Sequence, residues 1–196
     1  MEIVTNIDKS ILEWLNSWAG QWSLIDRITY VLVSDYFVPV TMALFILGLW
    51  FSGNNVKTRQ VRQKAVIRAL IAIGLSNLVV LIINDYYFRP RPFNELDINL
   101  LFYKPTDSSF PANPAAVSFA IAHSVLRTKM AISKIPYVLA ILWSISRIFS
   151  GVFYPLDAIA GAAIGITISI VTGSILRLLD PIPSFVISCA RKAHLG

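Results

Sequence analysis

Residues 146–157 read Ser-Arg-Ile-Phe-Ser-Gly-Val-Phe-Tyr-Pro-Leu-Asp and set Arg147 and Asp157 between two long apolar runs. A charged side chain at the edge of a membrane span is expensive to hold there and is a candidate for function. Two other stretches have matching chemistry. Residues 84–92 are Asn-Asp-Tyr-Tyr-Phe-Arg-Pro-Arg-Pro, and residues 108–116 are Ser-Ser-Phe-Pro-Ala-Asn-Pro-Ala-Ala. The guanidinium groups of Arg89, Arg91 and Arg147 suit a phosphate because a planar fork donates two parallel hydrogen bonds. Asn113-Pro114 is a helix start, with asparagine as N-cap and proline at the first helical position. The N–H groups of such a first turn attract anions. Three arginines against Asp157 leave a positive excess. The expectation is that the three stretches meet at one end of a helix bundle as an anion pocket. Plainer roles stay open: arginines snorkelling to headgroups, Asn113 as a cap alone, and an Arg147–Asp157 ion pair.

The elements that position these residues follow from composition. The chain has 196 residues, 56% hydrophobic and 14% charged, with a mean hydropathy of +0.65. Soluble domains carry about 25% charged residues. The deficit points to an all-α, integral membrane helical bundle forming one domain over residues 1–196. Residues 7–22 space Ile7, Ile11, Leu15, Trp18 and Trp22 as an interfacial helix, and a short helix covers 24–34. Spans are predicted at 37–53, 66–85, 114–129, 134–152 and 156–178, which makes five, or six if 24–34 dips in. Residues 54–64 read as a polar loop and 86–113 as an ordered cap. Pro181 and Pro183 end the last helix, so residues 181–196 read as a basic tail. The first 20 residues lack the pattern of a cleavable signal peptide. The lone Cys189 excludes an internal disulfide and supplies no metal cluster; it reads as a buried thiol, and no cofactor is implied.

Basic residues set the expected orientation. Lys57, Arg59, Arg62, Lys64, Arg68, Arg127, Lys129, Lys134, Arg177, Arg191 and Lys192 fall on one side, and every acidic residue but Asp180 on the other. The positive-inside rule makes the basic side cytoplasmic. The arginine stretches then face the extracytoplasmic side and the C-terminus the cytoplasm. The net charge of +6 fits an anionic leaflet, so nucleic acid is not implied. Ala158, Gly161, Ala162 and Gly165 form a small-residue face for helix packing.

Over about residues 20–178 the chain resembles the type 2 phosphatidic acid phosphatase family, which includes bacterial undecaprenyl-diphosphate phosphatases. Arg91-Pro92 matches the end of the family's first motif, whose lysine position is Asn84 here. Pro111 matches the second motif, but Ala112, Asn113 and Pro114 stand for its Ser-Gly-His. Ser146, Arg147 and Asp157 match the third, and its histidine position is Phe153. The resemblance implies that the third-motif histidine is the nucleophile and the second-motif histidine the acid for the leaving group. It also implies that the aspartate orients the nucleophile, while arginines, lysine and second-motif backbone hold the phosphate. Both histidines are replaced in this chain.

Phenylalanine has no lone pair for attack, and proline within a chain has no proton to give. His123 follows Pro114 by nine residues, which puts it about 13.5 Å deeper and half a turn around, so it reads as a packing residue. His194 lies in the tail. Tyr154 and Asp157 have no evident base or metal to activate them. The sequence therefore points to a catalytically impaired relative that binds a phospholipid or polyprenyl phosphate headgroup through Arg89, Arg91, Arg147 and Asn113. Two alternatives remain: an active lipid phosphatase with altered catalytic residues, and a structural subunit with membrane protein partners.

Overall fold

The computed structural model describes residues 2–126, 128 and 130–192; Arg127, Lys129 and His194 lie outside them. About three quarters of the chain is helical, at 76%, with no strand among the described residues. The order is α1 (Glu2–Asn16), α2 (Ser23–Val33), α3 (Phe37–Phe51), α4 (Val56–Tyr86), short α5 (Pro92–Glu95), α6 (Asn113–Leu126), a 3-10 turn, α7 (Ile135–Phe149), α8 (Pro155–Leu178) and α9 (Pro181–Lys192). Three helical segments, Val56–Tyr86, Ile132–Phe149 and Pro155–Leu178, are long and apolar enough to cross a membrane. The pair α2 and α3, bent by 53°, makes a fourth if it counts as one span. The five or six spans expected from the sequence also take in α3 by itself, α6 and, at most, α2. Helix α6 ends at Leu126 and is a shorter apolar helix. Its 14 residues reach only about 21 Å, against a hydrocarbon layer of about 30 Å.

Helix α6 is the hub. It packs against α8, α4 and α7. One buried cluster joins Val38, Met42, Ile46 and Leu49 of α3 to Val66 and Ala69 of α4, Ile121 and Val125 of α6, and Ala140 and Trp143 of α7. The small-residue face does what its composition predicts. A Cβ on Gly161 would fall 2.3 Å from the Ala112 carbonyl oxygen, and one on Gly165 only 2.1 Å from that of Ala116. The backbones of α6 and α8 are thus in contact because glycine has no side chain to separate them. Gly165→Ala is expected to lower stability by about 1–3 kcal/mol, as overpacking does when only backbone can yield. Thermal unfolding of the detergent-solubilised protein measures it, and an unchanged midpoint refutes the close-contact reading.

Three local expectations need correction. Residues 54–64 are not a loop: α4 begins at Val56, and Asn55 Oδ1 accepts from the Thr58 N–H at 2.8 Å as its cap. Lys, Arg and Gln are good helix formers, so the span simply continues as a charged helix beyond the membrane. Residues 181–192 are not an irregular tail but α9, with Pro181 opening the helix, where its missing N–H costs nothing. Pro183 and Ile187 of α9 are buried, and α9 packs on α4. Cys189 is exposed rather than buried.

Candidate functional site

The three polar stretches do meet at one end of the bundle. The Ser109 N–H donates to the Arg89 carbonyl at 3.0 Å, and the Ala112 N–H to the Asp157 carbonyl at 3.0 Å. Arg91 Nη1 donates to the Val152 carbonyl at 3.2 Å, and the Val152 N–H in turn donates to the Arg147 carbonyl at 3.0 Å. The start of α6 also differs from the one expected. Ala112 is the N-cap, its carbonyl accepting from the Ala116 N–H at 3.1 Å. Asn113 and Pro114 are therefore the first helical residues, not cap and first residue.

Arg91 and Arg147 form one half of the site. Arg91 is 3% exposed. Its Nη2 meets Asp107 Oδ1 at 2.8 Å and its Nε donates to the Asp107 carbonyl at 3.0 Å. Its guanidinium carbon lies 4.4 Å above the ring of Phe153, the residue that the resemblance sets at the nucleophile position. Burial holds the Arg91 pKa below its ordinary value, the charge of Arg147 adds to the lowering, and Asp107 opposes it. Arg147 is also buried and pairs with Asp35. Its guanidinium carbon sits 4.6 Å over Phe102 and 5.3 Å from the Trp143 ring. Phe102 and Phe153 belong to one apolar cluster with Ala112, Ala115 and Val152. Two cations thus stand on adjacent aromatic plates, an arrangement favourable to a guanidinium out of water.

Arg89 forms the other half, with a different role from the one expected. It bridges Asp8, at 2.8 Å, and Asp157, and its guanidinium carbon lies 4.0 Å over the Tyr154 ring. Both aspartate side chains have no solvent exposure. Burial disfavours the charge on Arg89, but hydrogen bonding to Asp8 and the charge of Asp157 outweigh it and raise its pKa. Asp8 also accepts the Leu156 N–H at 2.9 Å, and Asp157 the Tyr154 N–H at 3.1 Å. The result is a closed ionic knot joining α1, the cap and α8, with Arg89 engaged by two carboxylates. The retained Asp157 is engaged with Arg89, and the suggested Arg147–Asp157 pair does not form.

Charge counting from the sequence missed Asp8, Asp35 and Asp107. With them, the supposed positive excess disappears: each of the three arginines faces at least one carboxylate. The signal was the gathering of acidic residues on the same side as the arginines. Which acid faces which arginine is a matter of folding. The partners of Arg91 and Arg147 differ from those of Arg89 in one respect: the Asp107 and Asp35 side chains are 64% and 45% exposed.

The other candidate groups have partners of their own. His123 Nδ1 is 2.8 Å from the Tyr137 hydroxyl, in the α6–α7 packing. The Tyr154 hydroxyl donates to Glu95 at 3.2 Å. Burial first, then the Glu95 carboxylate, push its pKa up, which makes the phenolate harder to form. Glu95 is itself held below the usual carboxylate range by its hydrogen bond to Lys9. Asn84 and Asn113 line a separate groove of about 930 Å³ with Asn77, Val80, Asp107 and Ser108. The Asn84 carboxamide oxygen is buried without a protein partner.

Residues 65–178, more than half of the chain, match the model of the PAP2 superfamily. Undecaprenyl-diphosphatase BcrC of Bacillus subtilis is 28% identical over 84% of this chain and 82% of its own. LpxE of Aquifex aeolicus superposes with a TM-score of 0.64 at 30% identity, over 83% of this chain and 92% of that one. A PAP2-type phosphatidylglycerolphosphate phosphatase from Bacillus subtilis shares the fold, with a TM-score of 0.63 at 21% identity over 89% and 87%. The chain is therefore a multi-pass membrane protein that belongs to the PAP2 superfamily.

Proposed function

We propose that this protein binds the phosphate or diphosphate headgroup of a membrane lipid at Arg91 and Arg147 and does not hydrolyse it. The observation that carries the reading is Phe153, which stands at the nucleophile position and lies 4.4 Å beneath the Arg91 guanidinium. A ring there supports the cation and cannot attack phosphorus. Relatives named as undecaprenyl-diphosphatases make a polyprenyl phosphate a natural ligand, and a phospholipid phosphate shares its chemistry. The groove beside Asp107 supports a lipid: apolar Val80, Leu81 and Ile82 suit a chain, and Asn84, Ser108 and Asn113 suit its polar end. Asp107 and Asp35 hold the two arginines until the headgroup arrives, and being exposed they can swing into water. Orientation by the positive-inside rule puts this pocket on the extracytoplasmic side and α9 on the cytoplasmic side.

The test is binding of undecaprenyl diphosphate and phosphatidic acid to purified protein, with a zwitterionic phospholipid as reference. Arg147→Gln is expected to weaken binding by roughly 10-fold or more, the worth of a hydrogen bond to a charged group. Asp107→Asn, which removes a competing anion, is expected to tighten it. Equal affinity in wild type and Arg147→Gln, with the fold intact, refutes the site.

A further inference from the structure

Another cavity, with charged residues in its lining, lies at the far end of the bundle. At helical rise Arg68 is about 27 Å along α4 from Tyr86, close to the thickness of the hydrocarbon layer. The cavity, about 230 Å³, is lined by Lys64, Arg68, Thr128, Gly173, Arg177 and Asp180 among others. Three of these side chains are cations and one is a carboxylate.

The arginine is built in rather than loosely placed. Arg68 is 8% exposed and donates to the Ser124 carbonyl. On α8, a Cβ at Gly173 would fall 2.8 Å from Arg68 Cδ and 2.9 Å from its Nη1. Glycine is a poor choice inside a helix, and here its lack of a side chain leaves the space the guanidinium fills. Arg177, one turn on, donates its Nε to the Gly173 carbonyl at 3.1 Å. Lys64 pairs with the exposed Asp180 across the mouth. The Thr128 hydroxyl is buried with no protein hydrogen-bond partner. An arginine held within a membrane bundle marks a functional site by default. The same fork geometry that suits the other end suits a phosphate here.

We infer that this cavity is a second anion site, which takes a phosphate group presented either by an anionic lipid headgroup or as free phosphate. It shares no residue with the pocket of Arg91 and Arg147, so the two stand or fall separately. The test uses the full chain in nanodiscs of zwitterionic lipid. Phosphatidic acid retention is counted by native mass spectrometry, and inorganic phosphate is tested by thermal shift. Arg177→Gln and Lys64→Gln are expected to raise the dissociation constant roughly 10-fold, while Arg147→Gln keeps this contribution. Arg68→Gln is expected to do more, and the two rim variants carry the test if it does not fold. Binding of phosphatidic acid alone identifies a lipid headgroup, and a thermal shift with phosphate identifies the free ion. The inference is overturned if neither ligand binds, or if both rim variants bind as wild type does.

Discussion

Phosphate release from undecaprenyl diphosphate by this protein is expected to fall about a million-fold below that of an active superfamily member, the scale of losing a hydrolytic nucleophile or its base. The replaced leaving-group acid is worth about 10²–10⁴-fold by itself, although such effects do not simply add. Among the described residues, the candidate replacements each have a partner of their own. Tyr154 donates to Glu95 and lies under Arg89; His123 packs against Tyr137; Asp157 is committed to Arg89 and the Tyr154 amide. The engagement of Asp157 also limits restoration. Phe153→His, alone or with Pro114→His, regains at most trace turnover, because Asp157 is not free to orient an imidazole and because the Arg91 guanidinium loses its aromatic support. A phosphate-release assay on wild type and both variants measures this. Turnover by wild type at a family-like rate would falsify the reading and favour an enzyme with altered catalytic residues.

Arg89→Leu is expected to destabilise the protein by about 3–5 kcal/mol, the usual penalty for removing one partner of a buried ion pair. The variant leaves Asp8 and Asp157, both without solvent exposure, facing each other with no cation between them. Two carboxylates in a poorly polarisable site repel strongly and have lost their water. The strain should release first at α1, which the knot helps to hold on the bundle together with Leu12 and the Asn16 hydrogen bonds. Asp8→Asn is the milder control, since Arg89 keeps Asp157. Thermal unfolding measures the size of the effect, and hydrogen exchange across residues 2–16 locates it. A stability loss under about 0.5 kcal/mol, with α1 still protected, would mean that the knot is no more than a surface pair.

Some features of this chain are local and others are not. Apolar run lengths and prolines are local, so helices near 37–51, 66–86, 135–149 and 155–178 were legible in the order of residues alone. The same holds for Gly161 and Gly165: a face of small residues on an apolar helix has few uses other than close packing, and the α6–α8 contact follows. The meeting of the three polar stretches was legible too, since each lies at the end of an apolar run and carries groups that avoid the hydrocarbon layer.

Helix ends were less legible. The charged start of α4 and the proline-opened α9 both form because backbone hydrogen bonding is indifferent to whether a side chain is polar. Polarity at residues 54–64 suggested a loop and the prolines at 181 and 183 a tail, yet neither polarity nor a proline at a helix start rules out helix.

The pairing of charges was decided by tertiary structure alone. Asp8 lies 81 residues from Arg89, and Asp35 lies 112 from Arg147. No periodicity connects such positions. Residue types by themselves put Pro114 and Phe153 where the resemblance expects two histidines. Only the fold assigned Arg89 and Asp157 to a buried ionic knot and left Arg91 and Arg147 with solvent-exposed partners, because a carboxylate's effect on an arginine depends on distance and burial, and neither is written in the order of residues.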